Sequence, residues 1–200
     1  MMRPAPVARL PAMLAPVGFV LAMLALPCLC AADDLDTVMG LLALHRHGRA
    51  EFIEQKFLAM VKRPIESSGE LRYDAPDRLE KRTLEPRPED LLLEGGVLTV
   101  ERRGRRQQLD LQRYPQIKPF VESIRATLAG DRPALERIFE VKFAGDVPRW
   151  TLILVPLEPK MTRAVREVRI DGARDQLLHV EIRQADGDRS LLTLRTPAAP

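Results

Sequence analysis

From residue 52 to residue 195, with one interruption, apolar and polar residues alternate with a period of two. Turn-forming residues break the alternation every eight to twelve positions. Such a chain is committed to an antiparallel sheet or barrel, because period two gives each strand one face for a core and one for water. The pattern predicts eleven strands, near 52–63, 66–75, 78–85, 89–94, 96–102, 105–112, 139–145, 149–155, 164–171, 176–185 and 189–195. Most are joined as hairpins at "DAPD", "EGG", "RRGRR", "GDVP", "DGARD" and "ADGD".

The interruption has helical spacing. In "QIKPFVESIRATLAGDRPALERIF", Ile117, Phe120, Val121, Ile124 and Leu128 recur on one helical face, Gly130 ends the run, and Asp131 with Pro133 starts a second short helix. Ahead of the strands, "DDLDTVMGLLALHRHGRA" reads as a helix with acidic residues in its first turn. Its basic end, His45, Arg46 and His47, is closed by Gly48. The expected fold class is therefore α+β, with helices packed on one face of a sheet.

Residues 1–32 carry a different signal. Arg3 and Arg9 precede a nearly unbroken apolar run, Leu10 to Leu26, and "CLCAAD" follows with small residues. This is the layout of a cleaved secretory signal, cut near Ala32–Asp33 and leaving one domain over 33–200. A transmembrane anchor is disfavoured by the two prolines in a run just short of spanning length. Lipidation at Cys28 or Cys30 is disfavoured by the proline and leucine before them. Both cysteines of the chain lie in this leader, which excludes disulfides and thiol chemistry from the mature protein. Removing Arg3 and Arg9 takes the 31 basic residues to 29 against 28 acidic ones, so the mature chain is nearly neutral. With no Asn for glycosylation, the export signal points to a bacterial periplasm.

Motifs that carry chemistry are weak. The four serines lie outside any nucleophile elbow, there is no phosphate-binding loop, and no carboxylate pair can be singled out. His45 and His47 are two apart, not four, which suits complementing a helix C-terminus better than a metal. The expectation is a protein that is no enzyme and holds no cofactor or metal. The run Arg102, Arg103, Gly104, Arg105, Arg106 reads as a charged hairpin tip. Nucleic acid is disfavoured by the neutral charge and by the lack of interleaved aromatics.

The segments "FIEQKF", "SSGELRYDAPDRLE" and "LLLEGGVLTVER", in that order, resemble the opening of the LolA family of outer-membrane lipoprotein carriers. Phe52 and Gln55 match its Phe-x-x-Gln start, Ser68, Gly69 and Leu71 its Ser-Gly-x-Leu strand, and Pro76 and Arg78 its proline-arginine turn. "LVPLEPKMTRAVREVRIDG" and "EIRQADGDRSLLTL" resemble its closing hairpins. The resemblance implies a half-open antiparallel β-barrel of about eleven strands, with an N-terminal helix and a helical lid over an apolar hollow. It implies a monomer that takes acyl chains of a lipoprotein or lipid cargo from an inner-membrane exporter and passes them to an outer-membrane acceptor. The family has an arginine before the turn proline that helps hold the lid closed. This chain has Ala75 there, so the lid must close differently, and the cargo can be another acylated molecule.

Strand parity then nominates cavity residues: Ile53, Phe57, Leu71, Tyr73, Leu98, Val100, Phe139, Trp150 and Leu152 from the sheet, and Val121, Ile124 and Leu128 from the lid. Alternation alone fits a filled core equally well. The resemblance is what turns the set towards a hollow. A lipid-sensing or scaffold module acting through a protein partner is the alternative in another class, and a small hydrolase the third.

Overall fold

The computed structural model describes residues 30–114 and 117–196. The leader expected over 1–32 lies almost wholly outside them. Helix α1 (Cys30–Ala43) leads into strands β1 (His47–Phe57), β2 (Ile65–Asp74), β3 (Arg78–Glu85), β4 (Glu89–Glu94), β5 (Val97–Arg102) and β6 (Arg105–Asp110). A short 3-10 turn (Leu111–Arg113) precedes helices α2 (Lys118–Leu128) and α3 (Arg132–Ile138). Then come β7 (Phe139–Asp146), β8 (Arg149–Pro156), the single-turn α4 (Pro159–Thr162), β9 (Val165–Ala173), β10 (Gln176–Gln184) and β11 (Arg189–Arg195). None of the described helices is long and apolar enough to cross a membrane.

All eleven strands form one antiparallel sheet in the order β6-β5-β4-β3-β2-β1-β11-β10-β9-β8-β7. Every neighbouring pair but one is a sequential hairpin or meander. The exception is β1 against β11, where Phe52 faces Leu194 and Glu54 faces Leu192. Because β6 and β7 both end as edges, the sheet stays open, as the half-barrel expectation requires. α1 packs on β7 and α2, α3 on β7 and α2, and α2 also on β9, so all three helices lie on one face, the inner face.

Two local features depart from the sequence reading. The first helix stops at Ala43 instead of running to Gly48, because from Arg46 onward the backbone is taken by β2: Ala75 N–H donates to the Arg46 carbonyl at 2.7 Å, and His47 pairs with Asp74. The histidines therefore serve carboxylates and not the helix end. His45 Nε2 lies 2.5 Å from Asp175 and His47 Nδ1 2.8 Å from Asp74. The first strand ends at Phe57, not near 63, and the chain turns there, held by the Ala59 N–H donating to Asp188 at 2.9 Å.

Close approaches require glycine at several positions, Gly69 and Gly130 among them. At Gly69, where the β2–β3 register slips, a Cβ would stand 2.0 Å from the Arg82 carbonyl oxygen. At Gly130, with φ +64°, it would stand 2.2 Å from the Met39 carbonyl oxygen, so the α2–α3 turn can lie directly on α1 only because the side chain is missing.

The inner face is filled over one half. Phe139, Trp150, Leu152, Leu154, Val168 and Ile170 from β7, β8 and β9 pack against Leu35, Val38 and Leu42 of α1 and Leu135 of α3, all nearly inaccessible. Each such side chain stabilises the fold by about 1.5–3 kcal/mol relative to exposure. Trp150 is seated over Gly172, and its indole N–H donates to the Arg174 carbonyl at 2.9 Å, which satisfies the one polar atom in this block.

Candidate functional site

The other half of the inner face is hollow. Between the sheet and α2 lies a cavity of about 530 Å³, within the range of small-molecule sites. One wall is leucine-rich, from Leu71 of β2, Leu79 of β3, Leu91 and Leu93 of β4 and Leu98 of β5. The opposite wall is Val180 and Ile182 of β10 with Leu192 and Leu194 of β11. Phe120, Val121, Ile124 and Leu128 of α2 roof it.

The trough exists because of β1. Its inner-face residues begin Gly48, Ala50, and these pair with Tyr73 and Leu71, so the middle of the sheet rises less than the walls beside it. α2 roofs this half, with Leu42 of α1 reaching only its margin, and one helix cannot fill the width between β4 and β10. Along β1 the trough runs from His47 to Glu54, seven steps or about 23 Å at ~3.3 Å per residue.

The two ends are polar and unlike. At the β1 start, His45, His47 and Arg72 with Asp175 form a rim exposed to solvent. At the other end Glu54, 7 % exposed, accepts from Ser190 Oγ at 2.7 Å and from Lys81 Nζ, with Lys56 Nζ 3.5 Å away. Burial, the largest influence, pushes the Glu54 carboxyl up, but Lys81, Lys56 and the Ser190 hydroxyl together outweigh it and hold the carboxyl below its ordinary value. Lys81 also lies over the Phe52 ring, 4.8 Å from its centre.

The lid is held by apolar contact. Among the described residues no ion pair or side-chain hydrogen bond joins α2 to the sheet. Arg125 is bound to Glu122 one turn away at 2.6 Å, Ser123 donates to Phe120 and Thr127 donates to Ser123. Ala75 takes part through its backbone N–H, which donates to the Arg46 carbonyl. Tyr73 stands beside it, and burial pushes its phenol up despite Arg125 and Arg46 nearby.

Of the residues nominated from the sequence, Leu71, Tyr73, Leu98, Val121, Ile124 and Leu128 converge on the cavity. Ile53 and Phe57 do not. The β1–β2 register puts Phe52 and Glu54 inward, leaving Ile53 37 % exposed on the outer face and Phe57 under the Arg189 guanidinium at 4.1 Å. Phe139, Trp150 and Leu152 face inward but are sealed under α1 and α3 in the filled half. Val100 pairs with Leu91 on the inner face but, unlike Leu98 on the same strand, does not line the hollow. Leu79, Leu91 and Leu93 were missed: the run Leu91–Leu92–Leu93 has no alternation to say which leucines turn inward, and Leu79 shares its face with Lys81 and Thr83. Glu54, Lys81 and Ser190 carried no sequence signal, because a charge on an inner face looks like a charge on an outer one.

A family model described as "Outer membrane lipoprotein carrier protein LolA-like" matches residues 28–199. No curated protein matches the chain. Solved structures similar to it include a LolA superfamily protein from Nitrosomonas europaea (11 % identity, 85 % of this chain and 94 % of that one, TM-score 0.45). A putative outer membrane lipoprotein-sorting protein domain from Vibrio parahaemolyticus is similar at 9 % identity over 85 % and 94 %, TM-score 0.44. The Pseudomonas aeruginosa MucA/MucB complex is similar at 16 % identity over 84 % and 58 %, TM-score 0.45.

Proposed function

The chain belongs to the LolA-like family of outer membrane lipoprotein carriers, and on that footing we propose that it holds acyl chains of a lipoprotein or another acylated lipid in the cavity under α2 while they cross the periplasm. It takes them from an inner-membrane exporter, passes them to an outer-membrane acceptor, and acts by binding alone, without catalysis. The observation that carries this reading is a leucine-walled trough of about 530 Å³ under a helix that, among the described residues, has no ion pair or side-chain hydrogen bond to the sheet. Each methylene moved from water into it is worth about 0.8 kcal/mol, so ten of them supply about 8 kcal/mol before the costs of association. Release follows from the same construction: among the described residues no ion pair to the sheet breaks when α2 is displaced, so an acceptor that binds the lid-open state can draw the cargo out.

The test is mass spectrometry of an organic extract of gently purified protein, joined to titration with a fluorescent fatty acid. Copurifying lipid and saturable binding are expected. Failure of both overturns the proposal. A second reading, a module that contacts a protein partner, is favoured by the β1–β2 loop, where Met60 is 98 % exposed beside exposed Val61. A lipid-free complex abolished by Met60→Asp is the result that supports it.

A further inference from the structure

The buried Glu54 and the half-buried Lys81 at one end of the trough have no place in a purely apolar container. Hydrocarbon that reached them would displace water from Lys81 and leave ammonium N–H groups without acceptors. Lys81 has three donors, and among the described residues Glu54 is its hydrogen-bond acceptor, with the Phe52 ring beside it. Its side chain, 20 % exposed, and that of Glu54, 9 % exposed, both line the cavity together with Ser190. Leaving a charged donor unsatisfied on burial costs more than an ordinary lost hydrogen bond, so an all-hydrocarbon chain is penalised at this end.

We propose that Lys81, Glu54 and Ser190 form a polar subsite that selects hydrocarbon chains bearing an un-ionised hydroxyl group. This rests on the acyl-carrier reading and names the cargo class for it. A hydroxyl is the complementary group because it accepts and donates at once: its oxygen takes a Lys81 N–H and its proton goes to a Glu54 oxygen. A carboxylate can only accept, and here it would lie against the Glu54 charge. An ether oxygen accepts from Lys81 but leaves nothing to donate to Glu54. Sites built around a substrate hydroxyl discriminate by the polar groups left unpaired when it is missing.

The experiment is displacement of a bound naphthyl-type fluorescent probe by 1-hexadecanol, by its methyl ether and by palmitate. It uses the wild-type protein, Glu54→Gln and the double variant Glu54→Leu/Lys81→Met. For the wild type, hexadecanol should displace the probe at a concentration at least ~10-fold below those needed for the ether and for palmitate. In the double variant, which removes both charges of the buried pair together and so leaves none orphaned, alcohol and ether should agree within about twofold. In Glu54→Gln, which keeps an amide acceptor for Lys81 but frees its charge, palmitate should gain at least ~10-fold on hexadecanol. That shift in the ratio decides the matter if the double variant fails to fold. Equal displacement by alcohol and ether in the wild type overturns the subsite, as does a wild-type preference for palmitate or an unchanged palmitate-to-hexadecanol ratio in Glu54→Gln. In each of those cases the chains still bind and the carrier reading stands. Binding of no chain by any of the proteins overturns both.

Discussion

The sharpest test of the division between hollow and filled halves is one substitution made on each side of it. Leu98 lines the cavity and Leu152 is fully buried under α1, and both become Trp. At Leu98 the added ring atoms enter empty space. If roughly 60 Å² of new apolar surface is covered, the gain is about 1.5 kcal/mol at ~25 cal/mol per Å². At Leu152 the same atoms must enter a close-packed core, where overpacking costs about 1–3 kcal/mol. For a chain of this length a kcal/mol moves Tm by about 2–4 °C. Delipidated Leu98→Trp should therefore melt about 3–6 °C above the wild type and Leu152→Trp about 2–12 °C below it, by scanning calorimetry. Binding of a fluorescent fatty acid should weaken at least tenfold in Leu98→Trp and stay close to wild type in whatever Leu152→Trp remains folded. Equal destabilisation by the two changes would refute the reasoning, because it would mean that both sites are already full.

Trp150 is the only tryptophan and lies in the filled half, so its emission should be blue and little quenched by a brominated fatty acid; strong quenching would place cargo under α1. Glu54 has its carboxyl held below the ordinary 4.5, so its contribution to stability is present above that pH and lost as pH falls through the depressed folded value. Urea midpoints should accordingly drop below about pH 4.5, and Glu54→Gln should flatten that slope; an identical slope in the variant would show that the Lys81 pairing has no bearing on acid stability. Glu54→Ala alone should cost about 2 kcal/mol, since it orphans Lys81, whereas the paired replacement Glu54→Leu/Lys81→Met should be nearly neutral by urea denaturation. Gly130→Ala, with its Cβ driven onto the Met39 carbonyl at positive φ, should lower stability by more than 1 kcal/mol and loosen α1, seen as faster amide exchange over Leu35–Leu42.

Strand number, and the boundaries after β1, were legible because the turns are written in glycine, proline and aspartate, and because period two marks most strands on either side of the helical insertion. The helices α2 and α3 were legible from spacing, Gly130 and Asp131, whose carboxylate accepts from the Ala134 N–H at 2.9 Å as a helix cap should. What misled was parity in β1. Ile53 and Phe57 are the conspicuous apolar residues there, yet the inward set is Gly48, Ala50, Phe52 and Glu54, fixed by partners far away in sequence. A bulge in β10 shifts parity in the same way: it brings Leu177, which strict alternation would turn away from the Val180 face, onto the wall with Val180. No alternation can tell a leucine that lines a void from one that meets α1, because both are apolar neighbours of apolar residues. The position of the helices decides, and that is a property of the whole sheet.

The single non-sequential pairing, β1 with β11, sets when the trough can come into being. Its two walls are local meanders that can form by neighbour-to-neighbour zipping, but they face each other only once a strand near the start of the described chain has found the last one. Such a long-range closure is slow compared with hairpin formation. Until it occurs, the leucines of β2–β4 and those of β11 belong to two separate half-built surfaces, each greasy and uncovered. The protein's period of greatest stickiness is thus the interval before that seam zips, and a chaperone or a first lipid that bridges the halves would shorten it.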